Sequence, residues 1–377
     1  MTIKICATLG IEFPLFAFSH CRDVVAAVSK AGGFGVLGAT AFNPEQLEVE
    51  LQWIDAHVEG KPYGIDVLIP ENLSIAHEIE LTSKTLAARI PIGHKVFVDD
   101  LLARHGVTPA GTQARTNDDA PPPFWPAEAM ELLRVAFNHP IKMIVNALGV
   151  PPPEMIAMGR EHNVPVGALA GAKEHALRLA AVGVDVIVAQ GGEAGGHCGE
   201  VSTLVLIPEV VRALKRGGYD IPVLAAGGIM TGAQMAACMA MGAAGAWTGS
   251  VWLATTESET SEIFREKMVA ARSRDTVRSK GRTGKFSRQL RSAWTDAWEG
   301  ETSPGALPMP MQSLISEPAL RQAEKTAAGG NVEARKLVTY FVGQGVGLVD
   351  NVTSARSVVQ SFIEEYADAV ETLNGAV

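Results

Sequence analysis

Apolar runs of three to six residues alternate with amphipathic stretches along most of this 377-residue chain. Short apolar runs bounded by turn residues read as buried strands, and apolar positions recurring every three to four residues mark helices. The pattern predicts strands at 15–17, 34–37, 63–68, 142–146, 166–168, 184–189, 222–226 and 246–248. It predicts helices at 21–31, 44–59, 71–104, 152–162, 172–181, 206–216 and 232–241 between them. Eight strand–helix units predict an α/β protein, and their number favours a closed (β/α)8 barrel over an open doubly wound sheet.

Two stretches break the rhythm. Residues 105–126 carry Gly, Asn, Asp and three consecutive prolines (Pro121, Pro122, Pro123) before Phe124-Trp125. This reads as a long irregular loop, a type that often serves as a lid. Residues 257–338 show helical patterns, a basic patch from Arg272 to Arg291 and a turn-rich piece at 300–310, with no strand-like run. They read as a mainly helical lid inserted after the eighth strand. The expected division is a barrel over 1–256, the helical insertion over 257–338, and a return to the barrel over 339–377. A final amphipathic helix at 354–374 closes the barrel.

The sixth strand runs into Gln190-Gly191-Gly192-Glu193-Ala194-Gly195-Gly196-His197-Cys198-Gly199. Five glycines in nine positions exclude a stable helix, since each costs about 1 kcal/mol there relative to Ala. They form a flexible frame that brings backbone N–H groups close to a flat ligand, around a single imidazole, His197. A catalytic role competes with a purely structural one for this histidine; the glycine frame favours catalysis. After the seventh strand come Gly227, Gly228 and then Thr231-Gly232-Ala233; after the eighth come Thr248, Gly249 and Ser250. Glycines before a helix leave N–H groups at its positive end, a ready phosphate site. Barrels of this class bind phosphate after strands seven and eight, and Thr248 and Ser250 add hydroxyl donors. The competing reading is that these glycines only permit tight helix–strand packing.

Composition narrows the partners. The net charge of -9 with one local basic stretch speaks against a nucleic acid. The four cysteines lack C-x-x-C spacing, so neither a disulfide framework nor a zinc site is expected. A metal at Glu193, His197, Cys198 and Glu200 would need a helix that Gly195-Gly196 opposes, and no metal is expected. Cys198 reads as a bystander. Glu193 reads as an acceptor for loop N–H groups. Neither a signal peptide nor a run of about 18 apolar residues is present, so a cytoplasmic protein without membrane contact is expected. A homodimer is compatible with this sequence. His20 reads as part of a helix start, the basic run as a solvated face, and Trp247, Trp252, Trp294 and Trp298 as core.

Taken together, these motifs resemble the nitronate monooxygenase family, formerly called 2-nitropropane dioxygenases. Residues 190–199 resemble its signature, and 225–229 and 242–250 its phosphate-binding segments. Matching pieces also occur at Ala31-Gly32-Gly33-Phe34-Gly35, Lys61-Pro62-Tyr63-Gly64, Gly149-Val150-Pro151-Pro152-Pro153-Glu154 and Gly343-Gln344-Gly345. The resemblance covers most of the barrel in order and is weaker across the two irregular stretches. It implies a TIM-type barrel holding non-covalent FMN, with a lid domain inserted late in the chain. By motif, His197 corresponds to the family's active-site histidine, Gln190 to a residue at the flavin ring edge, and Gly195, Gly196, Gly227, Gly228, Gly249 and Ser250 to the cofactor cradle. Two departures bear on the pocket. The first strand reads Phe16-Ala17-Phe18-Ser19 where many members carry Ala-Pro-Met or Gly-Gly-Met. This leaves Ala17 and Phe18 against the flavin, with bulky Phe18 either narrowing the substrate space or packing as core. Asp66 stands where Asn is usual, either accepting from flavin N3–H as a carboxylate or protonated and turned away. The implied activity is oxidation of alkyl nitronates by O2 to a carbonyl compound and nitrite. The family also contains NAD(P)H-dependent reductases of quinones, enones and enoyl thioesters. A barrel that binds FMN without turnover is the third alternative.

Overall fold

The computed structural model describes residues 4–40, 42–69, 83–108 and 126–375. Eight parallel strands close into a barrel: β1 (Leu15–Ser19), β2 (Phe34–Gly38), β3 (Tyr63–Val67), β4 (Met143–Asn146), β5 (Val166–Ala170), β6 (Val186–Gln190), β8 (Val223–Ala226) and β9 (Gly245–Thr248). The register of Ala17 with both Gly35 and Thr248 closes the ring. The glycine-rich loop adds a two-residue strand, β7 (Gly196–His197), which lies outside the barrel.

The strands are apolar on both faces because both are covered. Phe16, Val186, Val188 and Leu224 point inward and pack with Phe34, Met143 and Trp247. Their neighbours Leu15, Ala17, Ile187 and Ala189 point outward against the helical ring. The interior is filled rather than hollow: a Cβ on Gly64 would lie 2.7 Å from the Phe34 ring. A helix at Lys4–Leu9, unassigned from sequence, buries Ile5, Cys6 and Leu9 in that same inner cluster. Chemistry is therefore confined to the other end of the barrel.

Two expectations about the helices change. The region expected as one helix over 71–104 contains helices Ser83–Ala88 and Ile92–Arg104; residues 70–82 lie outside the described residues. Val98, Leu101 and Leu102 pack with Trp294, Trp298, Ile315 and Ala319, so this segment joins the late insertion and not the helical ring. The ring position after β3 is taken by the unassigned helix Pro126–Phe137, whose Leu132, Leu133 and Ala136 pack on Leu47, Leu51 and Ile144. The loop expected at 105–126 falls almost wholly outside the described residues.

The insertion contains helices Glu262–Ala270, Ala293–Glu299, Met311–Ala328 and Val332–Arg335. It also contains a hairpin that the sequence reading missed, β10 (Thr276–Ser279) and β11 (Ser287–Leu290). These strands carry Thr, Ser, Arg and Gln, so no apolar alternation marks them. They are specified by pairing: β11 joins β10 on one side and β7 on the other, with His197 opposite Ser287. The last helix, Ala355–Gly375, packs Val359 and Phe362 into the outer layer. A Cβ on Gly232 would lie 2.0 Å from the Phe362 carbonyl oxygen, which explains that glycine.

Candidate active site

The C-terminal ends of the barrel strands and the inner face of the insertion enclose a cavity of about 840 Å³. Phe18, Asp66, Gln190, Gly195, Gly196, His197, Gly227, Gly228, Gly249 and Ser250 all line it. Ala17 does not, because strand alternation turns its side chain outward among Leu15, Val24 and Ala246. Phe18 lies against Trp247, ring centroids 6.2 Å apart, so this tryptophan forms part of the wall. Trp252, Trp294 and Trp298 are buried in the core.

The glycine-rich loop is held firmly, not loosely as its composition suggested. Glu193 Oε2 accepts from the N–H and the hydroxyl of Thr203, each at 2.9 Å. The Arg288 guanidinium donates twice to the Gly192 carbonyl, at 3.0 and 2.8 Å. Gln344 N–H donates to the Glu193 carbonyl at 2.8 Å. The space around each glycine's missing Cβ sorts the glycines by purpose. At Gly191 it would lie 2.2 Å from Thr203 Oγ1, and at Gly195 2.9 Å from the Val342–Gly343 backbone, so these two serve packing. At Gly249 the nearest atom is Phe18 Cδ1 at 4.0 Å, so that glycine faces open cavity.

The expected phosphate site shifts by a few residues. The helix Gly232–Ala240 already has its end satisfied: Gly232 N–H donates to Glu365 Oε2 at 2.7 Å, and Gln234 N–H to Thr231 Oγ1 at 3.2 Å. Thr248 is also engaged, its hydroxyl donating to the Phe16 carbonyl at 2.9 Å. What remains is main chain. The N–H groups of Gly228, Ile229, Gly249 and Ser250, all on cavity-lining residues, have no acceptor among the described residues. Ser250 Oγ accepts from Gly343 N–H at 2.8 Å, which leaves its own proton to donate.

Asp66 on β3 is fully buried, and its Oδ1 has no hydrogen-bond partner among the described residues. Burial pushes this carboxyl well above the usual carboxylate range. Burial thus favours its neutral form, which can donate as well as accept. His197 opens onto the cavity, which leaves its surface accessible while the surrounding walls desolvate it. Desolvation and, secondarily, the Lys285 charge lower its pKa below the ordinary imidazole value. Its Nε2 lies 2.8 Å from Thr283 Oγ1. A second imidazole, His20, also lines the cavity, and burial lowers its pKa too. Its Nδ1 donates to the Gly38 carbonyl at 2.8 Å, because a carbonyl can only accept. Sequence reading passed over His20, since nothing near it in the chain marks it out.

The basic run expected to be solvated divides. Arg282 is buried, forks onto Glu317 at 2.7 and 3.0 Å, and lies 4.6 Å from the Phe341 ring centroid. Arg288 clamps the glycine loop as described above. Cys198 Sγ rests 3.5 Å from the Gly192 carbonyl, and burial raises its pKa, so the thiol is not activated. No group of three or more His, Cys, Asp or Glu poised for a metal occurs among the described residues. No described helix is long and apolar enough to cross a membrane.

Comparison with known proteins bears on what this mouth is for. The profile of the nitronate monooxygenase family matches residues 7–365. A Mycobacterium tuberculosis protein carrying the name "Putative monooxygenase" is 52% identical over 378 residues, covering 100% of both chains. Among solved structures, nitroalkane oxidase from Streptomyces ansochromogenes is 26% identical with a TM-score of 0.76, covering 98% of this chain and 99% of that one. FabK from Thermotoga maritima is 25% identical with a TM-score of 0.72, covering 100% of both chains. The chain belongs to the nitronate monooxygenase family of oxidoreductases.

Proposed function

We propose that this protein is an FMN-dependent nitronate monooxygenase that oxidises alkyl nitronates with O2 to a carbonyl compound and nitrite. The observation that carries the reading is a set of unsatisfied polar groups in the barrel mouth. The free N–H groups of Gly228, Ile229, Gly249 and Ser250 lie at strand ends eight and nine, the buried orphan Asp66 Oδ1 on β3, and His197 at the edge of the cavity. Buried polar groups are rarely left unpaired in a native protein, and those that are call for a partner. A phosphate suits the N–H cradle. A flat ring bearing amide-like N and O atoms suits the Gln190 amide and Asp66 in its neutral form. The residues present therefore fit FMN.

Gly228, Ile229, Gly249 and the Ser250 hydroxyl would hold the phosphate, and Gly249 admits it because no Cβ intrudes. Gln190 and Asp66 would fix the ring. Burial, by favouring the neutral form of Asp66, lessens the repulsion that a carboxylate would exert on an electron-rich ring. FMN, when bound, supplies electron acceptance and the reaction with oxygen. The chain's own residues bind and orient the nitronate: Phe18 and Trp247 form an apolar wall, and His197 contacts the reacting end. The segment 257–338 forms the outer wall that excludes water. Oxygen uptake and nitrite release with propyl nitronate test this reading in protein with full FMN occupancy. Absence of both sinks it.

A second reading has its own observation. The cavity is also lined by Phe264, Leu320 and Val338 of the insertion and by Tyr340 just after it, an apolar surface beside the cluster at the strand ends. That space suits an NAD(P)H-dependent reductase whose hydride acceptor is a quinone, enone or enoyl thioester. Anaerobic mixing with NADH and with NADPH separates the two, since rapid flavin bleaching supports this second activity.

A further inference from the structure

Thr283 stands in the turn between β10 and β11 and is buried against the cavity. Its hydroxyl is placed to donate its single proton to the Lys285 carbonyl at 3.0 Å, and the Lys285 N–H reaches back to Thr283 Oγ1 at 3.4 Å. The Thr283 oxygen, having donated its proton, faces His197 Nε2 as an acceptor. With the Thr283 proton on the Lys285 carbonyl, the contact is a hydrogen bond only when Nε2 carries the proton. No group among the described residues bonds His197 Nδ1.

We propose that Thr283 is a positioning residue that fixes His197 in its Nε2–H form, leaving Nδ1 as the ring atom that accepts a hydrogen bond or a proton from the reactant. The backbone of His197 is set by the same hairpin, through its pairing with Ser287. One element therefore fixes both the place of the imidazole and its tautomer. This arrangement is the one seen where a buried acceptor holds a catalytic histidine from behind. The lowered pKa of His197 agrees with it, since a neutral ring has a tautomer to choose. The inference rests on His197 acting at the site but not on which substrate is turned over.

The test is 15N NMR of the histidine-labelled full chain as purified, with the His197 signals assigned by their loss in His197→Asn. The expected spectrum shows a protonated Nε2 and a bare Nδ1 in the wild type and in Thr283→Ser. Thr283→Val, which keeps the shape and loses the oxygen, is expected to lose that fixed pattern. Its kcat should fall about 10-fold or more with a smaller change in KM, and Thr283→Ser should restore it. A protonated Nδ1 in the wild type overturns the proposal, as does a Thr283→Val spectrum identical to wild type. Should Thr283→Val fail to fold, the wild-type spectrum alone still decides. A wild type that shows the Nε2–H form yet releases no nitrite from propyl nitronate removes the proposed substrate and leaves this inference standing.

Discussion

Two walls line the cavity around His197, and at the cavity surface they treat their polar groups differently. On the barrel side, Asp66 Oδ1 and four main-chain N–H groups are left without partners among the described residues. On the insertion side, Arg282 is forked onto Glu317, Thr283 is bonded on both sides, and Arg288 is clamped to the glycine loop. A buried polar group left alone costs about 1–3 kcal/mol, so the first wall is built to be completed by a ligand. The second wall pairs the polar side chains it turns toward the cavity, while away from it Arg278 Nε, Trp298 Nε1 and both amide atoms of Gln289 lack partners among the described residues.

This contrast breaks or sharpens under substitution. The largest effect belongs to the residue between the walls: His197→Asn should lower kcat/KM by roughly 100-fold or more while flavin stays bound, read by steady-state kinetics and absorbance. On the insertion wall, Arg282→Met leaves Glu317 without its fork. Glu317 is about one-third exposed, so solvent softens the loss, and a destabilisation of about 3 kcal/mol is expected in urea unfolding. The glycines separate the walls at finer scale. Gly191→Ala drives a Cβ into Thr203 and should cost about 1–3 kcal/mol of stability. Gly249→Ala meets only open cavity at a backbone φ of −129°, so the chain should fold with unchanged unfolding midpoint while flavin affinity drops. Equal stability losses in the two alanine variants would erase the distinction drawn here.

The smallest effect is a pH dependence at Asp66. Its folded-state pKa is raised, so the native chain binds this proton more tightly than the unfolded chain does. The stability it contributes is fully present below the unfolded value of about 3.9 and is lost as pH rises through the folded value. Flavin-stripped wild type should therefore lose thermal stability with rising pH more steeply than Asp66→Asn, measured by melting across a pH series. Parallel curves would show that Asp66 is ionised or paired.

The barrel was legible because each of its strands is buried on both faces and so leaves a continuous apolar run, as in Val186-Ile187-Val188-Ala189. Partners were not legible. The apolar stripe of Ile92–Arg104 looks the same whether it packs on the barrel or, as it does, on Trp294 and Trp298. The hairpin at 276–290 hid for a related reason, since polar strands held by pairing carry no periodic signal. At the site, glycines and His197 announced themselves by density in one short stretch. Thr283 and His20 come to the cavity from distant turns, each ordinary among its neighbours in sequence. The helix end at Gly232 looked open for phosphate because Glu365, which fills it, lies 133 positions away.

The bond between His197 and Thr283 spans 86 positions of chain. Barrel closure spans more still, with the Thr248 hydroxyl donating to the Phe16 carbonyl 232 positions away, and both closures carry a loop-ordering cost. Among the described residues β7 pairs with β11, so the short strand that carries His197 exists only once residues 287–290 are in place. A chain halted short of the hairpin would keep the barrel strands and lack the partner that places His197.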